Sequence, residues 1–234
     1  NAEKIRFDAI VVGAGLAGSA AAMVLAREGL NVALVERGQK PGGKNYFGGA
    51  IYTHAIAEVL PDYMDRRPPF ERPVTEAGFW FLSEDGLTRM TVQGGKLDTD
   101  PVDAYITLRA TFDQWWAEQA QKAGAFLIPK TAVVDLIREG DEGQVVGVVT
   151  DRHQGEIYAP VVIICEGVNN LLTQKLGLTD HDLEPAHIAL AFKKVISVPQ
   201  ETINARFGLP DENHGVAVSV LGDVSLGLPG MGFV

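Results

Sequence analysis

A chain of 234 residues that is 46% hydrophobic and 21% charged has the composition of an ordinary globular protein and can bury a sizeable core. The net charge of -10 argues against a nucleic-acid partner, because such proteins present basic surfaces to phosphates. The single cysteine, Cys165, excludes an internal disulfide and a four-thiolate zinc or iron–sulfur site, and it predicts a reducing, cytoplasmic environment.

The first forty residues predict a strand–helix–strand unit. The run "FDAIVV" has no polar alternation, which indicates a buried parallel strand. The alanine-rich "LAGSAAAMVLAREG" follows as a helix with Gly29 at its C-terminal end. "NVALVE" is then a second strand, which ends at Glu36.

The glycines of "VVGAGLAG" therefore fall at the turn from strand to helix. Gly13 permits a tight turn, Gly15 lets a pyrophosphate approach the backbone, and Gly18 lets the helix pack closely. The helix N-terminus favours a phosphate there. Glu36 lies where a carboxylate accepts hydrogen bonds from ribose hydroxyls and repels a 2′-phosphate, which disfavours NADP. The alternative is a glycine-rich turn in an unrelated α/β protein.

The geometry of the strand–helix–strand unit does not distinguish FAD from NAD as the bound cofactor. The loop "ERGQKPGGKNYFGGAIY", with its glycines, Lys44 and Asn45, favours an extended cofactor whose ring system is covered by backbone. The alternative for this segment is an irregular loop exposed to solvent.

Further along the chain, "DRRPPFERP" predicts an exposed connector and "FWFLSEDGLTRMTV" a hairpin with its turn at residues 84–86. "ITLRATFDQWWAEQAQKAGAFLI" has helical spacing, which places Leu108, Phe112, Trp115, Trp116 and Ala120 in the core. Arg109, near the start of that helix, can reach a cofactor phosphate, although it can also be an ordinary surface arginine.

The second half predicts mostly strands. "TAVVDLIREGDEGQVVGVVTD" indicates two antiparallel strands joined at residues 141–143, and residues 161–165 form a strand that leads into "EGVNN" and a short helix. "AHIALAFKKVISVP" and "GVAVSVLG" predict two more strands. No general acid or base is assigned, and no metal spacing is found among the histidines, which are His54, His153, His181, His187 and His214.

The segments "DAIVVGAGLAGSAAAMVLAREGLNVALVERG", "PGGKN", "LRATFDQW" and "VVIICEGVNNLLTQKLGL" resemble, in this order, the glutathione-reductase-like flavoproteins. That group includes geranylgeranyl reductases, aromatic hydroxylases and electron transfer flavoprotein:quinone oxidoreductases. "LPDY" and "INARFGL…GLPGMGF" are most similar to the short, FixC-type members of the last class. The resemblance implies an α/β fold: a Rossmann-like FAD-binding domain with a parallel sheet, crossover helices and an antiparallel β-meander, and part of a β-rich substrate-side domain.

The resemblance also implies non-covalent FAD and a set of residues that bind it. The adenosine end would lie at Gly13, Gly15, Ala17, Gly18 and Glu36, with Arg37 beside it and the Val133 backbone against the adenine. Lys44, Asn45 and Gly49 would lie near the pyrophosphate or the flavin, Arg109 near the phosphates, and the turn of Glu166 and Gly167 over the cofactor.

The chain departs from the family pattern at two places. Glu166-Gly167 stands where the family has Asp-Gly, which puts a role of this carboxylate toward a second nucleotide in doubt. The sequence also ends at "GLPGMGFV", before the family's third flavin motif, so we expect about the N-terminal half of an enzyme. The implied domains are residues 7–65 and 99–180 for FAD, with 66–98 and 181–234 on the substrate side.

The implied activity is electron transfer from a reduced electron transfer flavoprotein to a quinone or similar small acceptor, with a small ferredoxin-like protein carrying the iron–sulfur cluster. Within this fold the alternative is a reductase or hydroxylase that uses NAD(P)H. From another class, the alternative is a truncated dinucleotide-binding module without a redox site. The expected location is the cytoplasm, with peripheral contact at the inner face of the membrane.

Overall fold

The computed structural model describes residues 5–45, 47–140, 143–179, 184–227 and 230–234. Most of the predicted turn at 141–143, as well as His181, lies outside these ranges. The chain divides into two compact units, of which the first comprises Asn1–Asn45 and Ala110–Phe192 and the second Tyr46–Arg109 and Lys193–Val234.

The described residues form fifteen strands and five α-helices. In chain order they are β1 (Ile5–Arg6), β2 (Ala9–Val12), α1 (Leu16–Arg27), β3 (Val32–Val35), β4 (Gly48–Tyr52), α2 (Thr53–Val59), β5 (Phe70–Pro73), β6 (Glu76–Leu82), β7 (Leu87–Gln93), β8 (Ala104–Leu108), α3 (Arg109–Lys122), β9 (Phe126–Ile128), β10 (Val133–Glu139), β11 (Gln144–Thr150), β12 (Glu156–Tyr158), β13 (Val161–Ile164), α4 (Leu171–Lys175), α5 (Gln200–Phe207), β14 (Val216–Gly222) and β15 (Gly232–Phe233).

A parallel sheet in the order β13–β2–β3–β9 forms the centre of the first unit. Every residue of β2 and β3 is buried, which explains why both strands are apolar without alternation. The helix α1 connects these two parallel neighbours, and Gly29, with φ of +83°, follows its last turn. The predicted strand–helix–strand unit and the predicted α/β fold class are therefore confirmed.

The core of the first unit lies between the parallel sheet and a second sheet in the order β1–β12–β11–β10. The side chains that meet there include Ile10, Val35, Leu136 and Val148. The antiparallel meander of β10, β11 and β12 confirms the predicted antiparallel pair. Trp116 of α3 is buried as predicted, and its indole N–H donates to the carbonyl oxygen of Leu16 at 3.1 Å.

The second unit contains a three-stranded sheet, β4–β8–β5, and a four-stranded sheet, β15–β14–β6–β7. The pair of β6 and β7 confirms the predicted hairpin, and the Ser83 N–H donates to the carbonyl oxygen of Gly86 across its turn at 2.9 Å. The predicted strand in "GVAVSVLG" is β14, which pairs in parallel with β6.

Four local predictions differ from the structure. The segment "AHIALAFKKVISVP" forms no strand, because residues 188–198 are exposed and pair with no described strand. The predicted loop after Glu36 contains β4, and the end of the predicted connector "DRRPPFERP" is β5, because both pair with β8. The predicted helix begins only at Arg109, since Leu108 is the last residue of β8.

Candidate functional site

The turn between β2 and α1 requires glycine at two positions. Gly13 has φ of +100°, and a Cβ there would collide with the carbonyl oxygen of Cys165. A Cβ at Gly18 would collide with the carbonyl oxygen of Gly13 and would lie 3.3 Å from the Cβ of Cys165. The turn is held by two backbone bonds of 2.8 Å, from Gly13 to Val35 and from Cys165 to Val12. The start of α1 is therefore packed tightly against the ends of the parallel strands.

The N-terminus of α1 presents free backbone donors. Gly15 is the N-cap, with φ of -78° and ψ of -164°, and it supplies no side-chain acceptor. The first bond into the helix runs from the Ser19 N–H to the Gly15 carbonyl oxygen at 3.0 Å, so the amides of residues 16–18 have no acceptor within the helix. The first turn carries no acidic residue and Ala17 is exposed, an arrangement that favours an anionic ligand.

Glu36 follows β3 and its carboxylate points back to this turn. One oxygen, Oε2, accepts the Ala14 N–H at 3.0 Å, and Oε1 accepts the Gly38 N–H at 2.6 Å. Because each carboxylate oxygen can accept two hydrogen bonds, both retain capacity for a further donor. The acid therefore lies beside the donors at the start of α1.

The chain before β10 runs alongside Glu36. The Glu36 N–H donates to Ile128 at 2.9 Å, and the Thr131 N–H donates to the Glu36 carbonyl oxygen at 2.9 Å. Val133 begins β10 two residues later, while Arg37 is exposed. The structure thus brings the predicted residues Gly13, Gly15, Ala17, Gly18, Glu36, Arg37 and Val133 to one end of the parallel sheet.

The Glu166 carboxylate already has partners in the protein. It accepts the N–H groups of Leu172 and Thr173 at 3.0 and 2.9 Å and the Thr173 hydroxyl at 3.0 Å, and so caps α4. Gly167 has φ of +71°, and a Cβ there would meet no atom within 4 Å. Burial raises the pKa of the neighbouring Cys165 thiol. In this turn, the backbone at Gly167 is therefore the part that a ligand can approach.

The other predicted binding residues are divided between the two units. Lys44 and Asn45 belong to the first unit, where Lys44 is exposed and the Asn45 N–H donates to Gly42 at 2.9 Å. Gly49, in β4, and Arg109, at the start of α3, belong to the second, where the Arg109 N–H donates to the Phe47 carbonyl oxygen at 3.0 Å. Lys44 and Asn45 therefore lie in a different unit from Gly49 and Arg109, and their roles stay predictions.

Two features of the second unit were not predicted. His54 Nδ1 lies 3.0 Å from Asp103 Oδ1 at the edge of an open cavity of about 420 Å³, and this hydrogen bond holds the pKa of the Asp103 carboxyl below its usual value. Thr107, in β8, has a buried hydroxyl for which the described residues supply no partner. Neither has a sequence signal, because each depends on strand pairing between distant segments.

The first unit fits an adenine dinucleotide. Two glycine positions that a Cβ would fill, an uncapped helix N-terminus and an acid beside it form the usual set of groups for a diphosphate and a ribose. Among the described residues, no group of three or more histidine, cysteine, aspartate or glutamate side chains could hold a metal ion, and no helix is long and apolar enough to cross a membrane.

Residues 8–173 match the family described as FAD dependent oxidoreductase. The chain belongs to this family. FixC of Bradyrhizobium diazoefficiens is 40% identical over 229 residues, which are 98% of this chain and 52% of the relative. FixC of Azotobacter vinelandii is 41% identical, with the same coverage of 98% and 52%. The chain thus spans about half the length of the curated relatives it matches.

A geranylgeranyl bacteriochlorophyll reductase-like protein from Thermoplasma acidophilum shares the fold, with a TM-score of 0.69, 21% identity and coverage of 95% of this chain and 52% of its own. The 40% identity to FixC confirms the predicted FixC-type resemblance. Membership of the FAD dependent oxidoreductase family confirms the predicted oxidoreductase class and FAD cofactor at the level of the family. The roles of the individual binding residues and the domain bounds stay predictions.

Proposed function

We propose that the full-length protein is an FAD-dependent oxidoreductase that passes electrons from a reduced electron transfer flavoprotein to a quinone. One observation supports the binding of FAD: the Glu36 carboxylate is held beside the uncapped start of α1. The proposed electron transfer is supported by the similarity to FixC over 98% of the chain and by the resemblance to the FixC-type oxidoreductases.

In this proposal the first unit binds the adenosine end of FAD. The amides of residues 16–18 hold the diphosphate, because they are unpaired within the helix and lie at its positive end. Glu36 accepts the ribose hydroxyls while Ala14 and Gly38 fix its carboxylate. A 2′-phosphate in place of a hydroxyl would be repelled by the same charge.

The remaining assignments extend this binding site. Arg37 and the Val133 backbone flank the adenosine. The phosphates or the flavin end are contacted by Lys44, Asn45, Gly49 and Arg109. The backbone at Gly167 lies over the cofactor. The Glu166 carboxylate has no cofactor role in this proposal, because it caps α4. Bound FAD supplies the redox chemistry, and the protein supplies position and electrostatics.

The proposed partners are the subunits of an electron transfer flavoprotein, a small ferredoxin-like protein and a quinone. A quinone acceptor is lipid-soluble, so the proposal includes peripheral contact with the inner face of the membrane. The division into an FAD domain (residues 7–65 and 99–180) and substrate-side segments (66–98 and 181–234) belongs to the same proposal.

Stopped-flow reduction of the full-length protein tests this function. We expect the yellow protein to be bleached by reduced electron transfer flavoprotein and its colour to return on addition of a quinone analogue. Anaerobic bleaching by NADPH without the flavoprotein would instead identify a reductase or hydroxylase. A colourless protein that cannot be loaded with FAD would identify a dinucleotide-binding module without a redox site.

A further inference from the structure

Thr107 carries a buried hydroxyl that has no partner among the described residues. The residue is 2% exposed, and among the residues that the structure describes its Oγ1 makes no hydrogen bond. The other buried threonines differ, because their hydroxyls all donate to backbone carbonyl oxygens: Thr53 to Val102 at 3.2 Å, Thr131 to Pro129 at 3.1 Å and Thr150 to Gly155 at 2.8 Å.

An unpaired buried hydroxyl destabilises a folded protein, since it loses its hydrogen bonds to water without replacement. Valine has nearly the same shape and would fill the position without that loss. A threonine here therefore suggests a partner other than the residues that the structure describes.

The position of Thr107 indicates where that partner lies. Thr107 pairs with Gly49 of β4 on one side and with Phe70 of β5 on the other, so its side chain shares a face with these two residues. Gly49 has no side chain, and the ring of Phe47 lies 3.4 Å from the place of its missing Cβ. Phe47 is 63% exposed, so this face of the sheet reaches the surface of the unit beside Gly49.

We propose that the Thr107 hydroxyl hydrogen-bonds to the flavin end of bound FAD. This inference rests on the proposed function, which places the pyrophosphate or flavin end of the cofactor near Gly49. A threonine hydroxyl both donates and accepts, which suits the carbonyl and N–H groups at the edge of an isoalloxazine ring. Thr107 is thus a binding and positioning residue, and no step of the reaction is assigned to it.

The test compares FAD affinity with the stability of the apoprotein in the full-length protein. For Thr107→Val we expect the FAD dissociation constant to rise about five- to thirtyfold, the effect of one lost hydrogen bond. The melting temperature of the apoprotein should stay the same or rise. Thr107→Ser keeps the hydroxyl and should restore most of the FAD affinity.

Thr53→Val is the matched control, because Thr53 lies in the same unit, is 4% exposed and has a paired hydroxyl. It should lower the melting temperature of the apoprotein and leave FAD affinity unchanged.

Two outcomes overturn the inference while the proposed function stands: an unchanged FAD dissociation constant in Thr107→Val, or a melting temperature that falls as it does in Thr53→Val. The second would show that the hydroxyl has a partner within the apoprotein. Wild-type protein that binds no FAD overturns both proposals.

Discussion

Glu36 accepts a hydrogen bond from the glycine turn and, in the proposed function, from the ribose of FAD. Its substitution tests the contact with the ribose. Glu36→Gln keeps an acceptor oxygen for Ala14 or Gly38 but removes the negative charge. We expect FAD binding to weaken by about 1–3 kcal/mol, the scale of a hydrogen bond to a charged acceptor. Titration of the apoprotein with FAD measures this, with the exposed Glu28→Gln as control. An unchanged dissociation constant would show that Glu36 does not contact the ribose.

Gly18 tests whether close helix packing is required. In Gly18→Ala the new methyl group would collide with the Gly13 carbonyl oxygen, so α1 must move away from the strands. We expect unfolding free energy to fall by about 3 kcal/mol or more, the upper range of overpacking.

Gly29→Ala is the control, because Gly29 has φ of +83° but nothing within 4 Å of an added Cβ. It should lose only about 1–2 kcal/mol, the strain of a left-handed alanine. Urea unfolding of both variants provides the comparison, and equal losses would mean that the collision at Gly18 is relieved without movement of the helix.

Residues whose roles are set by their immediate neighbours were predictable from the sequence. The roles of Gly13 and Gly18 in the turn followed from their spacing after an apolar strand, and the structure shows the collisions that exclude a side chain there. Neither the partners of Glu166 nor the lack of a described partner for the Thr107 hydroxyl was predictable. The first depends on how a turn folds onto α4, and the second on which strands border β8.

At the scale of elements, α4 depends on an acid outside the helix. Glu166 accepts two backbone N–H groups and the Thr173 hydroxyl at the start of this five-residue helix. We expect Glu166→Ala to lower unfolding free energy by about 1–2 kcal/mol, as for other lost caps. The FAD dissociation constant of the folded variant should change less than twofold, which is about 0.4 kcal/mol.

Urea unfolding and FAD titration of Glu166→Ala are measured beside Glu58→Ala, which removes an exposed glutamate. Loss of FAD affinity without loss of stability would contradict the capping role and assign this carboxylate to a ligand.

Elements with local signals were predictable, and those that depend on distant partners were not. The pair of β6 and β7 follows from alternation around a tight turn. In contrast, β4 and β5 exist because both pair with β8, and neither glycine-rich nor proline-rich sequence predicts a strand. The segment 188–198 shows the reverse, since its apolar residues predict a strand but no described strand lies beside it to supply hydrogen bonds.

At the scale of the whole molecule, stability should depend on pH through three aspartates of the described residues whose pKa is lowered. The His54 hydrogen bond lowers the pKa of Asp103, the Leu136 amide and then Lys175 lower that of Asp135, and His214 lowers that of Asp211. A lowered pKa means that the folded state favours the charged carboxylate. The charged carboxylate therefore stabilises the folded state fully above the pKa of the unfolded chain, about 3.9. This stabilisation is lost as the pH falls toward the pKa of the folded state.

Asp103 should dominate this acid sensitivity, because its side chain is 17% exposed whereas those of Asp135 and Asp211 are 59% and 45% exposed and better screened by water. We expect the urea midpoint of the wild type to decrease as the pH is lowered from about 6 to about 3. Asp103→Asn should make that decrease smaller and should have a lower midpoint than the wild type at about pH 6.

Acid also neutralises a chain of net charge -10, which reduces self-repulsion and therefore raises the stability of both proteins. The difference between the two pH curves removes this shared effect, and Asp98→Asn, at an exposed position, should follow the wild type. Parallel curves for Asp103→Asn and the wild type would show that the pair of His54 and Asp103 does not link stability to pH.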